Sequence, residues 1–166
     1  MLLRLAIPTD IPAIVALERT PEARKFVGQW SEERHRETLA HGDACYFVSE
    51  IESGALQAFA ILRGLAESSR AIVLKRIVVG TPERGLGRKI LNELRRITFE
   101  EFRAHRFFLD VYEDNARARH LYESLGFVYE GILREGAVRD GQYCNLRLMS
   151  LLDREYTAQQ RTGPLS

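Results

Sequence analysis

The sequence is poor in the features that assign many proteins at sight. Its two cysteines, Cys45 and Cys144, can close one disulfide at most. Neither has a histidine or lysine beside it, so both read as small core hydrophobes of a protein in the reducing cytoplasm. Charge of one sign is missing as well: 24 Lys and Arg face 23 Asp and Glu, a formal charge of +1. That balance argues against broad electrostatic capture of nucleic acid or of an anionic membrane, while leaving room for a local basic patch around one phosphorylated ligand. No apolar run approaches the roughly 20 residues of a membrane helix. No secretory signal is expected, because the opening stretch carries Arg4 and meets Pro8 too soon. The four histidines, His35, His41, His105 and His120, show no metal-ligand spacing, and with two distant cysteines no zinc site is arguable. No elbow motif presents a serine nucleophile to a His-Asp pair.

What is present is an ordinary globular chain of 166 residues, sized for one domain. Residues 1–152 read as that domain and 153–166 as a polar tail that frays. Leu3 to Ile7 alternates like a strand; Asp10 and Pro12 open a helix, Pro21 opens a second, and Ser31 caps a third that runs to His41. Cys45–Ile51 and Leu56–Leu62 form a hairpin. Ala71–Val79 reads as a central strand interrupted by Lys75-Arg76. A long helix is predicted from Gly85 to Arg103, then a strand at Phe107–Val111, a helix at Asn115–Leu125, and strands from Phe127 and from Tyr143 to Leu151. Hairpins with one strand–helix–strand crossover imply an α/β (α+β) single domain: a mixed, mostly antiparallel sheet flanked by helices.

The most informative stretch joins the central strand to the long helix: Val79-Gly80-Thr81-Pro82-Glu83-Arg84-Gly85-Leu86-Gly87-Arg88-Lys89. Free amides and the dipole of a helix N-terminus favour an anion there. Gly85 and Gly87 let the backbone approach a phosphate closely, and Arg84, Arg88 and Lys89 add cations. Two familiar phosphate loops fail on spacing. A P-loop needs lysine where Leu86 stands, and a dinucleotide fingerprint needs glycine where Ile90 stands. Alone, the glycines are equally well explained as the shape of a tight turn.

One strand later, Asn115-Ala116-Arg117-Ala118-Arg119-His120-Leu121-Tyr122 places Asn115 at a helix start and Tyr122 seven residues on, nearly the same face. Gly126-Phe127 then returns the chain to the sheet. Here the sequence resembles the GNAT superfamily of acyl-CoA-dependent N-acetyltransferases, over almost its whole length. Pro82 to Gly87 is similar to the family's Gln/Arg-x-x-Gly-x-Gly/Ala pyrophosphate loop, and Asn115…Ala118…Tyr122…Gly126-Phe127 is similar to its second signature. Glu130–Glu135, Asp140-Gly141-x-Tyr143 and Leu148–Leu152 look most like the branch that holds ribosomal-protein N-terminal acetyltransferases.

The resemblance implies acetyl transfer from acetyl-CoA, without metal, to a primary amine on a small molecule or peptide. It implies Tyr122 as general acid toward the leaving thiolate, with the amide edge of Ile77, Val78 and Val79 beside the thioester. Arg84, Gly85, Leu86, Gly87, Arg88 and Lys89 are then expected at the pyrophosphate, and Asn115 and Ala118 along the cofactor. Two departures matter: Pro82 replaces the usual Gln or Arg, and the strand before the loop carries no acid between Ile72 and Val79. The general base therefore stays open among Glu50, Glu52, Asp110 and an ordered water. Phe26, Val27, Trp30 and the segment from Glu135 to Tyr143 are candidates for acceptor contacts, with Phe26 and Trp30 equally able to cap the core. A CoA-binding or interaction module without turnover is the rival reading, and dimerisation through a sheet edge is left open.

Overall fold

Seven strands form one sheet in the order β1-β2-β3-β4-β5-β7-β6. The computed structural model describes residues 3–80 and 85–162. The strands are β1 (Arg4–Leu5), β2 (Ala44–Glu50), β3 (Leu56–Arg63), β4 (Ala71–Val79), β5 (Arg106–Tyr112), β6 (Val128–Arg139) and β7 (Gln142–Leu152). The helices are α1 (Ile11–Glu18), α2 (Pro21–Arg24), α3 (Glu32–Ala40), α4 (Leu86–Arg96), α5 (Ala116–Ser124) and α6 (Asp153–Thr162). Every pairing is antiparallel except β4 with β5. The expected mixed, mostly antiparallel α+β domain is therefore what the chain builds.

Two apolar clusters lie on opposite faces of the sheet. On one face Ile90, Leu91 and Leu94 of α4 and Tyr122 of α5 pack on Ala60, Leu62, Leu74, Phe107 and Leu109. On the other, Ile11, Ile14 and Val15 of α1 with Trp30 cover Tyr46, Phe59, Ile61 and Val78. Strand alternation delivers one set of side chains to each face. In β4 a single irregularity exchanges the two faces partway along the strand. Ile61 pairs with Arg76 while its neighbour Leu62 pairs with Leu74, so Lys75 is an extra, bulged residue. Before the bulge Ile72 and Leu74 face α4; after it Ile77 and Val79 do, and Arg76 turns to the opposite face beside Trp30.

Two expectations need correction. The predicted helix to Arg103 loses its α-pattern at Ile97, where Ile97–Glu101 widens into a π-turn closed by the Phe102 amide donating to the Ile97 carbonyl at 2.9 Å. The expected fraying tail is instead a helix, α6, through Thr162. It is anchored by Tyr156, which stacks on Phe99 with centroids 4.8 Å apart and donates its hydroxyl to Glu100 at 2.7 Å. One buried aromatic in a polar decapeptide was too thin a periodic signal to predict it.

Candidate active site

β4 and β5 part company partway along. Their parallel register holds for Ala71↔Arg106, Ile72↔Phe107 and Val73↔Phe108 and stops there. β4 continues to Val79 paired with β3 alone, and β5 continues to Tyr112 paired with β7 alone. Bulges increase strand bending and twist, and the one at Lys75 lies two residues past the last shared pair. The outcome is a gap in the middle of the sheet, with one unpaired backbone edge on each side.

The ladder tells which amides face that gap. The Gly80 amide donates to Gln57 on the β3 side at 2.8 Å. Backbone groups alternate sides along a strand, so Val78 also faces β3, whereas Ile77 and Val79 direct their N–H and C=O into the gap. Of the three strand-end residues expected beside a thioester, Ile77 and Val79 are thus placed to serve. Val78 is not: its backbone is committed to β3 and its side chain is buried against α1.

At the end of β4 the chain enters α4 through Gly85, whose φ of +95° lies in the left-handed region. A side chain there would meet none of the described residues, and the left-handed φ is what requires glycine. The helical ladder begins with the Lys89 amide donating to the Gly85 carbonyl at 3.0 Å, and the amides of Leu86, Gly87 and Arg88 donate to none of the described residues. Those three N–H groups, with the positive end of α4, form an anion cradle in line with the unpaired edge of β4. Leu86 contributes its amide only, since its side chain is in the core. Gly87 sits against α5, where an added Cβ would lie 3.7 Å from Leu121. Arg88 is exposed and donates to Ser124 of α5 at 2.7 Å; Lys89 is exposed beside it. Arg84 lies outside the described residues.

α5 borders the gap from the α4 side. Asn115 caps it, its Oδ1 accepting from the Ala118 amide at 3.2 Å, so both residues have one polar group committed to the helix start. The Asn115 side-chain nitrogen donates to none of the described residues. Tyr122 is 7 % exposed, its ring edge-on to Phe127 at 5.8 Å, and its hydroxyl bonds to none of the described residues. Burial, with a smaller push from the charge of Asp110, raises this phenol above its ordinary pKa, so it carries its proton throughout the neutral range.

The two faces of the sheet meet at the gap. On β5, Leu109 and Val111 point toward α4 and α5, so Asp110 and Tyr112 point the other way. Asp110 is exposed and lies two residues past the last β4–β5 pair. Glu50 is at the far end of the sheet, held by Arg4 at 3.0 Å, and Glu52 lies in the β2–β3 turn. Only Asp110 of the three candidate carboxylates is therefore at the gap. Next to it opens a cleft of about 380 Å³ lined by Tyr112, Glu113, Asp114, Glu135, Arg139, Tyr143, Cys144 and Asn145. Asp114 is consumed by Arg139 at 2.6 Å, which also holds its carboxyl below the usual range; Glu113 lies 3.9 Å from Arg147 and accepts from the Asn145 side chain at 3.5 Å, and Glu135 adds a further acid to the lining. Phe26 reaches this mouth, 6.3 Å from Tyr112, as do the expected Glu135 and Tyr143. Trp30 does not; it is 7 % exposed, within the second cluster, where Val27 also packs. Tyr112, Glu113 and Asn145 were not foreseen, because lying at the end of a strand leaves no mark in periodicity.

A sheet split between two parallel strands, with a helix N-terminus closing one end of the split, is the architecture of a GNAT-type acetyltransferase. The chain belongs to the acetyltransferase (GNAT) family, whose model matches residues 14–127. Among characterised proteins it is similar to the spermidine N(1)-acetyltransferase of Vibrio cholerae serotype O1, 34% identical over 73 residues. That match spans 44% of this chain and 42% of that protein, so less than half of the relative's length is matched. In three dimensions it is similar to a variant of the spermidine N-acetyltransferase SpeG from Vibrio cholerae, with a TM-score of 0.83 and 25% identity over 96% of this chain and 99% of that one. The same fold recurs at a TM-score of 0.82 in a Vibrio cholerae spermidine N-acetyltransferase in complex with CoA and spermine, 24% identical and covering 93% of this chain and 96% of that one.

Proposed function

We propose that this chain moves an acetyl group from acetyl-CoA to a primary amine of a polyamine, the amine attacking the thioester directly. The observation that carries the reading is the gap between β4 and β5, which aligns the Ile77 and Val79 edge with the amides of Leu86, Gly87 and Arg88. An extended pantetheine tether with a diphosphate fits that combination, since it needs an unpaired strand edge for its amides and a helix N-terminus for its charge. Gly85 and Gly87 keep the approach free of side chains. Bound there, acetyl-CoA supplies the activated acyl carbon.

The residues around the gap divide the remaining work by face. An N–H at the Ile77–Val79 edge donates to the carbonyl oxygen as it gains charge, a contribution worth about 10²–10³-fold in comparable sites. Asp110, on the acceptor face, takes a proton from the bound acceptor ammonium, directly or through one water, and the free amine then attacks. Tyr122, on the opposite face, gives its proton to the departing sulfur, and Asp110 and Tyr122 act on opposite sides of one reacting centre. Holding both reactants in one frame removes up to about 7–11 kcal/mol of entropic barrier. Glu113 and Glu135 suit an acceptor with further ammonium groups beyond the one that reacts. The likeness to spermidine acetyltransferases supports the same substrate class. Free Cys45 and Cys144 suit a cytoplasmic enzyme, where reducing conditions prevail.

The test is release of free thiol from acetyl-CoA by the purified protein with an amine panel: spermidine, spermine, a lysine side-chain analogue and a peptide α-amine. The expected order puts the polyamines first in kcat/KM. Preference for the peptide α-amine removes the polyamine assignment and returns the chain to protein N-termini. Tight CoA binding without turnover of any amine favours a binding module.

A further inference from the structure

Behind the acceptor cleft, on the α1 face of the sheet, lies a charged cluster that the reaction chemistry does not use. Glu18 ends α1 and His35 belongs to α3; both are fully buried, and Arg76 of β4 is 8 % exposed. The Arg76 guanidinium lies 3.0 Å from Glu18 Oε1, donates to the Gly28 carbonyl and stacks over the Trp30 ring at 4.0 Å. Glu18 Oε2 accepts from the Trp30 amide at 3.2 Å and lies 3.2 Å from His35 Nε2. His35 Nδ1 pairs in turn with the Tyr46 hydroxyl at 3.0 Å.

Stability is a poor reason for this arrangement. Burying an ion pair costs several kcal/mol per charge, and apolar replacement of such pairs is commonly neutral or stabilising. The cluster is also incompletely satisfied: among the described residues, the buried Arg76 Nε has no hydrogen-bond partner. Its placement suggests another role. Gly28, Gln29 and Trp30 are held in succession, with Gln29 Nε2 donating to the Glu18 carbonyl at 2.8 Å. The near end of the same connection is held on the cleft side, where Arg139 donates to the Lys25 carbonyl at 3.0 Å and Phe26 meets Tyr112. Arg76 itself directly follows the bulge and precedes Ile77, whose amide faces the gap.

We propose that Arg76, oriented by Glu18, is a positioning residue for acetyl transfer: it locks the α2–α3 connection, which forms the acceptor lip, to the strand that presents the Ile77 amide. The amine and the thioester are thereby held in one rigid frame, and the misplacement of about 1 Å that costs such reactions some hundredfold is prevented. The acceptor-lip assignment rests on the function proposed above; the mechanical link between residues 25–30 and β4 does not.

The decisive variant replaces the pair with apolar residues, Glu18→Leu with Arg76→Met, because either change alone strands a buried charge. The expected protein melts no lower than the parent and binds CoA within about threefold, but loses tenfold or more in kcat/KM for the acceptor. Its amides at residues 25–30 exchange hydrogen faster while those of α4 are unchanged. Arg76→Lys keeps the charge without the planar fork, shows the same split, and serves as the readout if the double variant does not fold. Acceptor kcat/KM within twofold of the parent, or a loss shared equally by CoA affinity, overturns the proposal. If no polyamine is acetylated by the parent, the substrate assignment fails, and the exchange rates at 25–30 still decide whether the link exists.

Discussion

Replacing Tyr122 with phenylalanine removes one oxygen from a site where the structure separates chemistry from packing. The ring is in the core, edge-on to Phe127, and a phenyl group keeps that contact. The hydroxyl bonds to none of the described residues, so its removal strands no partner, and stability should change by no more than about 0.5 kcal/mol. The acceptor face and the Leu86–Arg88 amides are untouched, so CoA affinity should hold within about threefold. What is lost is a proton for the leaving thiolate, and that contribution is typically 10²–10⁴-fold. A thiol carries a pKa of about 8.5, below the roughly 10.4 of a lysine-like ammonium, so the sulfur leaves in preference to the amine even without help, and that unaided departure sets the residual rate of the variant.

The measurement is kcat from thiol release at saturating acetyl-CoA and acceptor, with CoA affinity by calorimetry and a thermal melt on the same preparation. The expected variant melts like the parent, binds CoA like the parent and turns over at least a hundredfold more slowly. Because burial holds the phenol above its ordinary range, the parent should lose no activity to tyrosine ionisation as pH rises through the neutral and mildly alkaline range. A variant that retains kcat within about threefold, with both controls unchanged, refutes the assignment and leaves Tyr122 as a packing residue.

Asp110→Asn should lower kcat/KM for the acceptor by about a hundredfold near neutrality, with partial recovery toward about pH 10, where a lysine-like amine supplies its own free base; a flat ratio of variant to parent across pH argues against a base. Gly85→Ala forces a left-handed φ on a side chain and should cost about 1–2 kcal/mol and weaken CoA binding, whereas Gly87→Ala, with room at 3.7 Å and no dihedral demand, should leave the melting temperature unchanged or raise it. Equal melts for the two disprove the dihedral argument. Glu130 is held by Arg106, with help from Ser150, at a pKa of about 2 against an ordinary 4.5. A depressed carboxylate stabilises the fold above 4.5 and loses that contribution as pH falls toward 2, so the melting-temperature gap between parent and Glu130→Gln should be full at neutral pH and narrow through that acid window. A gap independent of pH rules out the ion pair as its source.

Most of the fold was legible because its signals are local. Ala71–Val79 stands as predicted, the β2–β3 hairpin lies within a residue of expectation, and Asn115 caps α5 as its side chain and position foretold. What stayed hidden depends on pairs of segments. A bulge is a disagreement between two registers, so Lys75 carried no sign of it beyond a polar break in an apolar strand. Asp110 could not be separated from Glu50 and Glu52 until the sheet order put one at the gap and bound another to Arg4. The Glu18–His35–Arg76 cluster draws on two helices and a strand far apart in sequence, and single charged residues in apolar runs are too common to announce it.

Under the proposed function, the extra residue at Lys75 accounts for one short strand serving two reactants. A regular β4 would keep Arg76 and Val78 on the α4 face with Leu74, pushing a guanidinium into the apolar packing of Leu91 and Leu94. It would also let the parallel ladder with β5 run on past Val73, sealing the edge on which Ile77 and Val79 now lie open. With the bulge, the strand bends away from β5 and its faces exchange roles midway. Arg76 then faces the acceptor side, where Glu18 and the Gly28 carbonyl receive it, while the Ile77 amide one residue later points into the gap. Cofactor edge and acceptor anchor thus lie on adjacent residues of one strand, so any displacement of β4 moves both together. That common frame is what a reaction dependent on two correctly aligned reactants requires of its scaffold.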